Sequence, residues 1–166
     1  MKDASDDYVS SPIIVTSCFL AVKLTMFIGE SQHTLDEKGR IRIPSKHKEK
    51  LGVKPYITYG EGCLLIYTNE RATKFIEKLQ KELEEVEIYD EDKSNLSNFL
   101  LNGEFCEEDG QGRILLPPTL IKYAGLTKNL VTISGGNHLQ LWDEERLELK
   151  RTPKGFSEAI KMLKKD

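Results

Sequence analysis

Two stretches of the chain set an aspartate four residues ahead of an arginine with a glycine between them: Asp36-Glu37-Lys38-Gly39-Arg40 and Asp109-Gly110-Gln111-Gly112-Arg113. Across a tight turn, a carboxylate at that spacing can hold a guanidinium in one orientation. A held guanidinium suits bidentate contact with guanine O6/N7 or with a phosphate. The plainer reading is that each pair only stabilises its turn. Cations gather around the first copy, where Lys38, Arg40, Arg42, Lys46, Lys48, Lys50 and Lys54 are opposed only by Glu49. The matching span of the second copy holds Arg113, Lys122 and Lys128, with Glu107, Glu108 and Asp109 just ahead. Affinity for nucleic acid comes mainly from neutralising phosphates, and specificity from groups that reach base edges. The candidate contact set is therefore Arg40, with Lys38, Arg42, Asp36 and Lys46 beside it, then Arg113 and Asp109. The first copy is expected to supply most of the contact.

Other chemistries find little support. His33, His47 and His138 are scattered, and a strand or helix surface position is expected for each. Cys18, Cys63 and Cys106 show neither a CxxC pair nor metal-ligand spacing, so they read as reduced thiols of a cytosolic protein, packed as small hydrophobes. Gly60-Glu61-Gly62 and Gly135-Gly136 are not followed by a helix opening on Lys-Ser/Thr, so they read as hairpin turns. Tyr67 and Trp142 occupy equivalent positions and read as core or interface anchors. No nucleophile–base pair, carboxylate pair or ligand cluster lies near the motifs, so no catalysis, metal, cofactor or small-molecule substrate is expected. The formal charge of −3 over 166 residues gives no bulk sign of a polyanionic partner; the local charge carries that sign.

A tandem duplication positions the two motifs. Asp36, Arg40 and Pro44 map onto Asp109, Arg113 and Pro117 with one constant offset, which also pairs Leu51-Gly52 with Ala124-Gly125. Further on, Cys63–Tyr67 matches His138–Trp142 after a small insertion, and Gly29-Glu30 matches Gly103-Glu104 after a small deletion. Each unit reads as a strand, a glycine-bearing turn, and a second strand with Ile41/Ile43 or Ile114/Leu116 alternating inward. A helix follows the proline (45–51 and 119–124), with Gly52 and Gly125 as left-handed caps. A hairpin closes each unit, 56–59 with 63–67 and 130–134 with 138–142.

The division expected is a first repeat at 26–69, a helical insert at 70–102, a second repeat at 103–144 and a helical tail at 145–166. In the insert, Asn69 is placed to cap a helix to about Val86 with Phe75, Ile76, Leu79, Leu83 and Val86 on one stripe. Glu77/Lys81, Lys78/Glu82 and Lys81/Glu85 fall at i,i+4 on its wet side, and a second helix follows over about 92–101. Asp143 is placed to cap a helix, and Phe156, Ile160 and Leu163 form the stripe of a last one. One repeat is too small to hold a core alone, so the two must share strands. Residues 1–25 offer neither a clean signal peptide nor a span of about 20 apolar residues. They read as a disordered extension or a mis-assigned start ahead of Met26.

The run Met26-Phe27-Ile28-Gly29-Glu30 with His33-Thr34-Leu35-Asp36-Glu37-Lys38-Gly39-Arg40-Ile41-Arg42-Ile43-Pro44 resembles the amino-terminal signature of the MraZ family. The second copy, together with Ile133 to Leu141-Trp142-Asp143, is similar to that family's carboxy-terminal half; the likeness covers about Met26 to Lys150. The resemblance implies an α+β, mainly β fold: a double AbrB-like swapped-hairpin β-barrel from two tandem repeats, decorated by helices. It further implies a ring-shaped homo-oligomer that binds double-stranded DNA at short repeated boxes. Those boxes lie in the promoter of the division and cell-wall gene cluster, and the regulator is cytoplasmic and nucleoid-associated, with no membrane partner. The alternative is a structural or partner-binding ring protein whose charges only keep it soluble.

Overall fold

A computed structural model of the protein describes residues 26–84 and 101–151, together with 94, 95, 97, 98, 157, 160 and 161. The expectations for residues 1–25 lie outside the described residues, as do those for most of the second insert helix and of the last helix. Eight strands are described: β1 (Glu30–Thr34), β2 (Arg40–Arg42), β3 (Tyr56–Tyr59), β4 (Leu64–Tyr67), β5 (Glu104–Phe105), β6 (Arg113–Leu115), β7 (Asn129–Ser134) and β8 (Leu139–Asp143). The four full helices among the described residues are α1 (Ser45–Leu51), α2 (Asn69–Glu84), α3 (Pro118–Ala124) and α4 (Glu144–Lys150). The fold is mixed α+β with antiparallel strands predominating.

The strands form a six-stranded sheet in the order β1-β7-β8-β4-β3-β5 and a separate two-stranded ribbon, β2-β6. Ladder pairing does not close the sheet on itself, so the expected closed barrel is corrected to an open sheet plus a ribbon. The two hairpins β3-β4 and β7-β8 pair within their repeats. The other strand ladders join one repeat to the other: β1 with β7, β5 with β3, β4 with β8 and β2 with β6. The strands on either side of each Asp-x-x-x-Arg turn therefore form no ladder with each other, and the second turn is flanked only by a single bridge, Glu108 to Ile114. A three-residue strand cannot hold a hairpin alone, and the copy of itself in the other repeat presents a complementary edge and apolar face.

This interleaving answers the size problem. Ile41, Ile43, Ile57, Leu64 and Ile66 of the first repeat pack in one cluster with Ile114, Leu116, Leu120, Leu130, Leu139 and Leu141 of the second. A smaller cluster lies on the opposite face of the sheet, where α4 packs Leu147 against Cys63, Val131 and Trp142. The prolines before α1 and α3 are extended and leave no side-chain cap, as expected of residues that stop a strand and open a helix. Gly125 is left-handed, with ψ 40°, whereas Gly52 pairs its positive φ with ψ −156°, so only Gly125 is the expected cap. At α2 the capping oxygen is Thr68 Oγ1, 3.2 Å from Arg71 N, while Asn69 is helical and its amide donates to the Lys54 carbonyl. Ala72 and Leu79 are buried on α2, with Phe75 and Ile76 half-buried. Of the expected pairs along it, Lys78–Glu82 forms at 3.7 Å. Asp143 does cap α4, accepting from Arg146 N and also from Thr127 N and Oγ1.

His47 is the clearest departure from a surface expectation. It is buried on the inner face of α1, edge-on to Phe27 with ring centroids 5.9 Å apart, and its Nε2 has no hydrogen-bond partner. Burial lowers its pKa, and the charges of Lys46, His33 and Lys50 lower it further. The native state therefore keeps His47 neutral while the unfolded chain takes up a proton near its ordinary value of about 6.5. Stability should fall as pH drops from about 7 to 5. In H47L, thermal midpoints across that range should show a shallower pH slope and no loss of stability at neutral pH, because a desolvated nitrogen is replaced by a shape-matched apolar group. Some slope should persist from His33 and His138, whose pKa values burial also lowers. An unchanged slope in H47L would contradict a neutral buried imidazole.

Candidate nucleic-acid interface

Each Asp-x-x-x-Arg turn is built by its aspartate. Asp36 Oδ1 accepts from the backbone N–H of Lys38 and of Arg40, both at 2.9 Å, while Oδ2 takes Arg40 Nε and Nη2 at 2.7 Å each. In the second repeat, Asp109 Oδ1 accepts from Gln111 N at 2.9 Å and Arg113 N at 3.0 Å, and Oδ2 holds Arg113 Nε at 2.8 Å and Nη2 at 2.7 Å. The backbone closes both turns in the same way, with Gly39 N on Asp36 O and Gly112 N on Asp109 O. The glycines have φ of 76° and 71°, which a side chain would resist. Charge-assisted bonds of this kind hold a carboxylate ionised. The backbone N–H of Arg40 leads in lowering the pKa of Asp36, and the Arg113 side chain leads in lowering that of Asp109 to about 2.

The clamp takes Nε and Nη2 of each guanidinium and leaves Nη1 outside it. Arg40 Nη1 also lies 3.8 Å from Asp109 Oδ2, an ion-pair distance beyond hydrogen-bond range. The two motifs, far apart in sequence, are thus side by side.

They meet because β2 and β6 pair with Arg40 opposite Leu115, Ile41 opposite Ile114 and Arg42 opposite Arg113. Side chains directly opposite in an antiparallel ladder share a face, as do alternate residues of one strand. Ile41 and Ile114 take the inner face at 1% exposure each. Arg40, Arg42, Arg113 and Leu115 take the outer one, half-buried or exposed. One short ribbon therefore presents three arginines on one face. The sequence motif signalled Arg40 and Arg113 but not that Arg42 stands beside Arg113.

The lysines distribute differently from their order in the chain. Lys38 is exposed at the first turn next to the exposed Glu37. Lys46 Nζ donates to the Glu30 carbonyl at 2.6 Å and fastens the first strand, and Lys50 Nζ donates to the Met26 carbonyl at 2.7 Å and fastens the segment ahead of it. Lys48 reaches the second repeat, pairing with Glu108 at 2.6 Å and lying close over Gly112, and Lys54 pairs with Glu107 at 2.5 Å. The equivalent cover over Gly39 is apolar, from Ile121. Acidic residues ahead of the second turn thus restrain cations of the first repeat. His33, half-buried, bridges the Arg42 carbonyl through Nδ1 at 2.8 Å and Thr132 Oγ1 through Nε2 at 2.5 Å.

Cys63 and Cys106 are buried free thiols that burial pushes up to about 11 and about 12. Trp142 is buried with Nε1 bonded to Gln140 Oε1 at 3.0 Å, and Lys150 lies over its ring. No described helix is long and apolar enough to cross a membrane.

Fold and site together define a tandem-repeat α+β protein whose repeats interleave to display a cationic β-ribbon between two carboxylate-clamped turns. The chain belongs to the MraZ family: the model of that family, described as "MraZ protein, putative antitoxin-like", matches residues 26–92 and 99–149. Similar proteins carry the name transcriptional regulator MraZ. That of Lachnoclostridium phytofermentans is 38% identical over 129 residues, 74% of this chain and 85% of that protein. That of Dictyoglomus turgidum is 37% identical over 138 residues, 82% of this chain and 92% of that protein.

Proposed function

We propose that the chain is a sequence-specific DNA-binding transcriptional regulator that uses the outer face of the β2-β6 ribbon and its two turns. The observation that carries this reading is that two clamped guanidiniums share one ribbon face with Arg42, which stands opposite Arg113. A two-stranded ribbon fits the major groove, and a guanidinium held from behind is preorganised for guanine O6/N7. Asp36 and Asp109 act as positioning residues. Lys38, unpaired with any carboxylate among the described residues, suits a phosphate, and Lys46 bears on DNA by holding β1 beside the first turn. The cross-repeat ladders support an AbrB-like interleaving of the two halves, without the closed barrel.

The finer reading is that the chain acts as a ring-shaped homo-oligomer on short repeated boxes, in the promoter of the division and cell-wall gene cluster, in the cytoplasm and on the nucleoid. Exposed Ile28, Val53 and Leu149 favour contact between copies, and several identical ribbons on one ring would gain avidity from repeated boxes. An anisotropy titration with the duplex upstream of the chain's own gene tests the reading. Saturable binding that resists an unrelated competitor duplex and weakens steeply with salt is expected. Equal affinity for both duplexes at every salt concentration would favour the structural-ring alternative.

The Lys48–Glu108 pair gives a second test. E108Q frees Lys48 beside the second turn, so the log–log salt slope should steepen by about one, the contribution of roughly one more phosphate contact. Stability should change by less than about 1 kcal/mol, as for a pair near the surface with Glu108 half-buried. A slope identical to that of the parent protein would mean that Lys48 faces away from the duplex.

A further inference from the structure

We propose that Leu115 is a base-reading residue that seats the 5-methyl group of a thymine next to the base contacted by Arg40. This rests on the DNA-binding reading above and adds to it a specificity residue and the group that it reads.

The internal repeat makes Leu115 conspicuous. The approximate two-fold relation between β2 and β6 exchanges Arg40 with Arg113 and Arg42 with Leu115, as the register shows. A fully symmetric ribbon would carry four arginines and present the same chemistry in both directions. Leu115 replaces one corner by an aliphatic side chain, and it does so on the outer face, where it is 58% exposed. An aliphatic group that shares a ribbon face with three arginines, and lines an open cleft with Leu35, Glu104, Pro118 and Ile121, gains nothing from solvent, nor from the core that Ile114 and Leu116 fill on either side of it at 1% and 0% exposure.

The charge of the face selects the occupant. Arg42, together with the part of the Arg40 and Arg113 charge that Asp36 and Asp109 do not offset, favours a polyanion over the apolar face of another protein. In the major groove the thymine 5-methyl is the apolar feature that base edges offer, and aliphatic side chains meet it. The spacing also fits. Directly opposed residues of an antiparallel pair have Cβ atoms about 5 Å apart, and base pairs rise about 3.4 Å, so Arg40 and Leu115 address neighbouring steps. Guanine beside thymine is the step that this corner would read, and the Arg42/Arg113 corner would read another. The ribbon would then lie on its box in one direction only.

The test is a thymine-to-uracil scan of the duplex upstream of the chain's own gene, read by anisotropy with the full chain. Uracil keeps every hydrogen bond and removes only the methyl. One box position should lose affinity by about four-fold in the parent protein, the amount expected for one buried methyl. L115A should bind the thymine and uracil duplexes equally, and so should L115R, which removes the aliphatic contact while keeping the ribbon cationic. Three results would overturn the proposal. Specific binding with a flat uracil scan would remove Leu115 while leaving the DNA-binding reading intact. An L115A protein that keeps the uracil response but changes its subunit number would place Leu115 between copies of the chain. Absence of specific binding by the parent protein would remove both readings together.

Discussion

Arg40→Ala is expected to lower affinity for the specific duplex by about 10- to 100-fold, the range for losing one bidentate base contact. Affinity for an unrelated duplex should fall far less, with a salt slope shallower by about 0.9. The reason lies in geometry as well as charge. Asp36 fixes Nε and Nη2 of Arg40 at 2.7 Å each, so the guanidinium meets the groove already oriented. R40K keeps the charge but lacks the planar fork, so it should restore the salt slope without restoring specificity. D36N should fall between, because the amide still turns the backbone but holds the guanidinium weakly. R113A should weaken binding less than R40A. The first turn has Lys38 and Arg42 where the second has Gln111 and Leu115. Anisotropy with specific and unrelated duplexes at several salt concentrations separates these outcomes. Equal losses from R40A and R113A would show that the two turns contribute alike, and a uniform loss on both duplexes would assign Arg40 to phosphate alone.

What the sequence made legible is what short-range chemistry decides. The Asp36–Arg40 and Asp109–Arg113 clamps span four residues and are written into the turn. The capping of α4 by Asp143 is equally local. The duplication was legible because a constant offset preserves turn glycines, prolines and alternating Ile/Leu positions together. Contacts between the repeats were not. Nothing near Lys48 or Lys54 announces Glu108 and Glu107 as partners, since those distances arise only when β2 has paired with β6. The linear basic run from Lys38 to Lys54 therefore overstates the free charge of the first repeat. Lys46 and Lys50 are spent on backbone carbonyls, and Lys48 and Lys54 on carboxylates of the other repeat. The burial of His47 was hidden for a related reason: a seven-residue helix gives too little periodicity to show which face meets Phe27. Ladder closure into a barrel depends on edge strands β1 and β5 meeting, and alternation along a strand carries no information about its neighbour.

The second large effect is expected inside the ribbon. Ile41→Ala and Ile114→Ala should each cost about 2–5 kcal/mol in urea unfolding, the range for truncating a fully buried Ile to Ala. Each is 1% exposed, and the two face each other directly in the β2-β6 register. Ribbon strands of three residues make few backbone bonds, so the buried pair, more than the ladder, fixes where the arginine face sits. Touching residues do not add independently, and I41A/I114A should cost measurably less or more than the sum of its parts. The same pair couples the repeats functionally. Ile114 belongs to the second repeat, yet truncating it loosens the strand opposite Arg40, so I114A should erode specific binding under conditions where the protein is still folded. That loss should exceed any from Leu147→Ala, a truncation in the smaller cluster on the far face of the sheet, at matched stability. A cost below about 1 kcal/mol, far from what a filled core position gives, would mean that the ribbon is held by its turns. Strict additivity would mean that the two repeats meet without depending on each other, and the reading of one interleaved site would then give way to two separate turns.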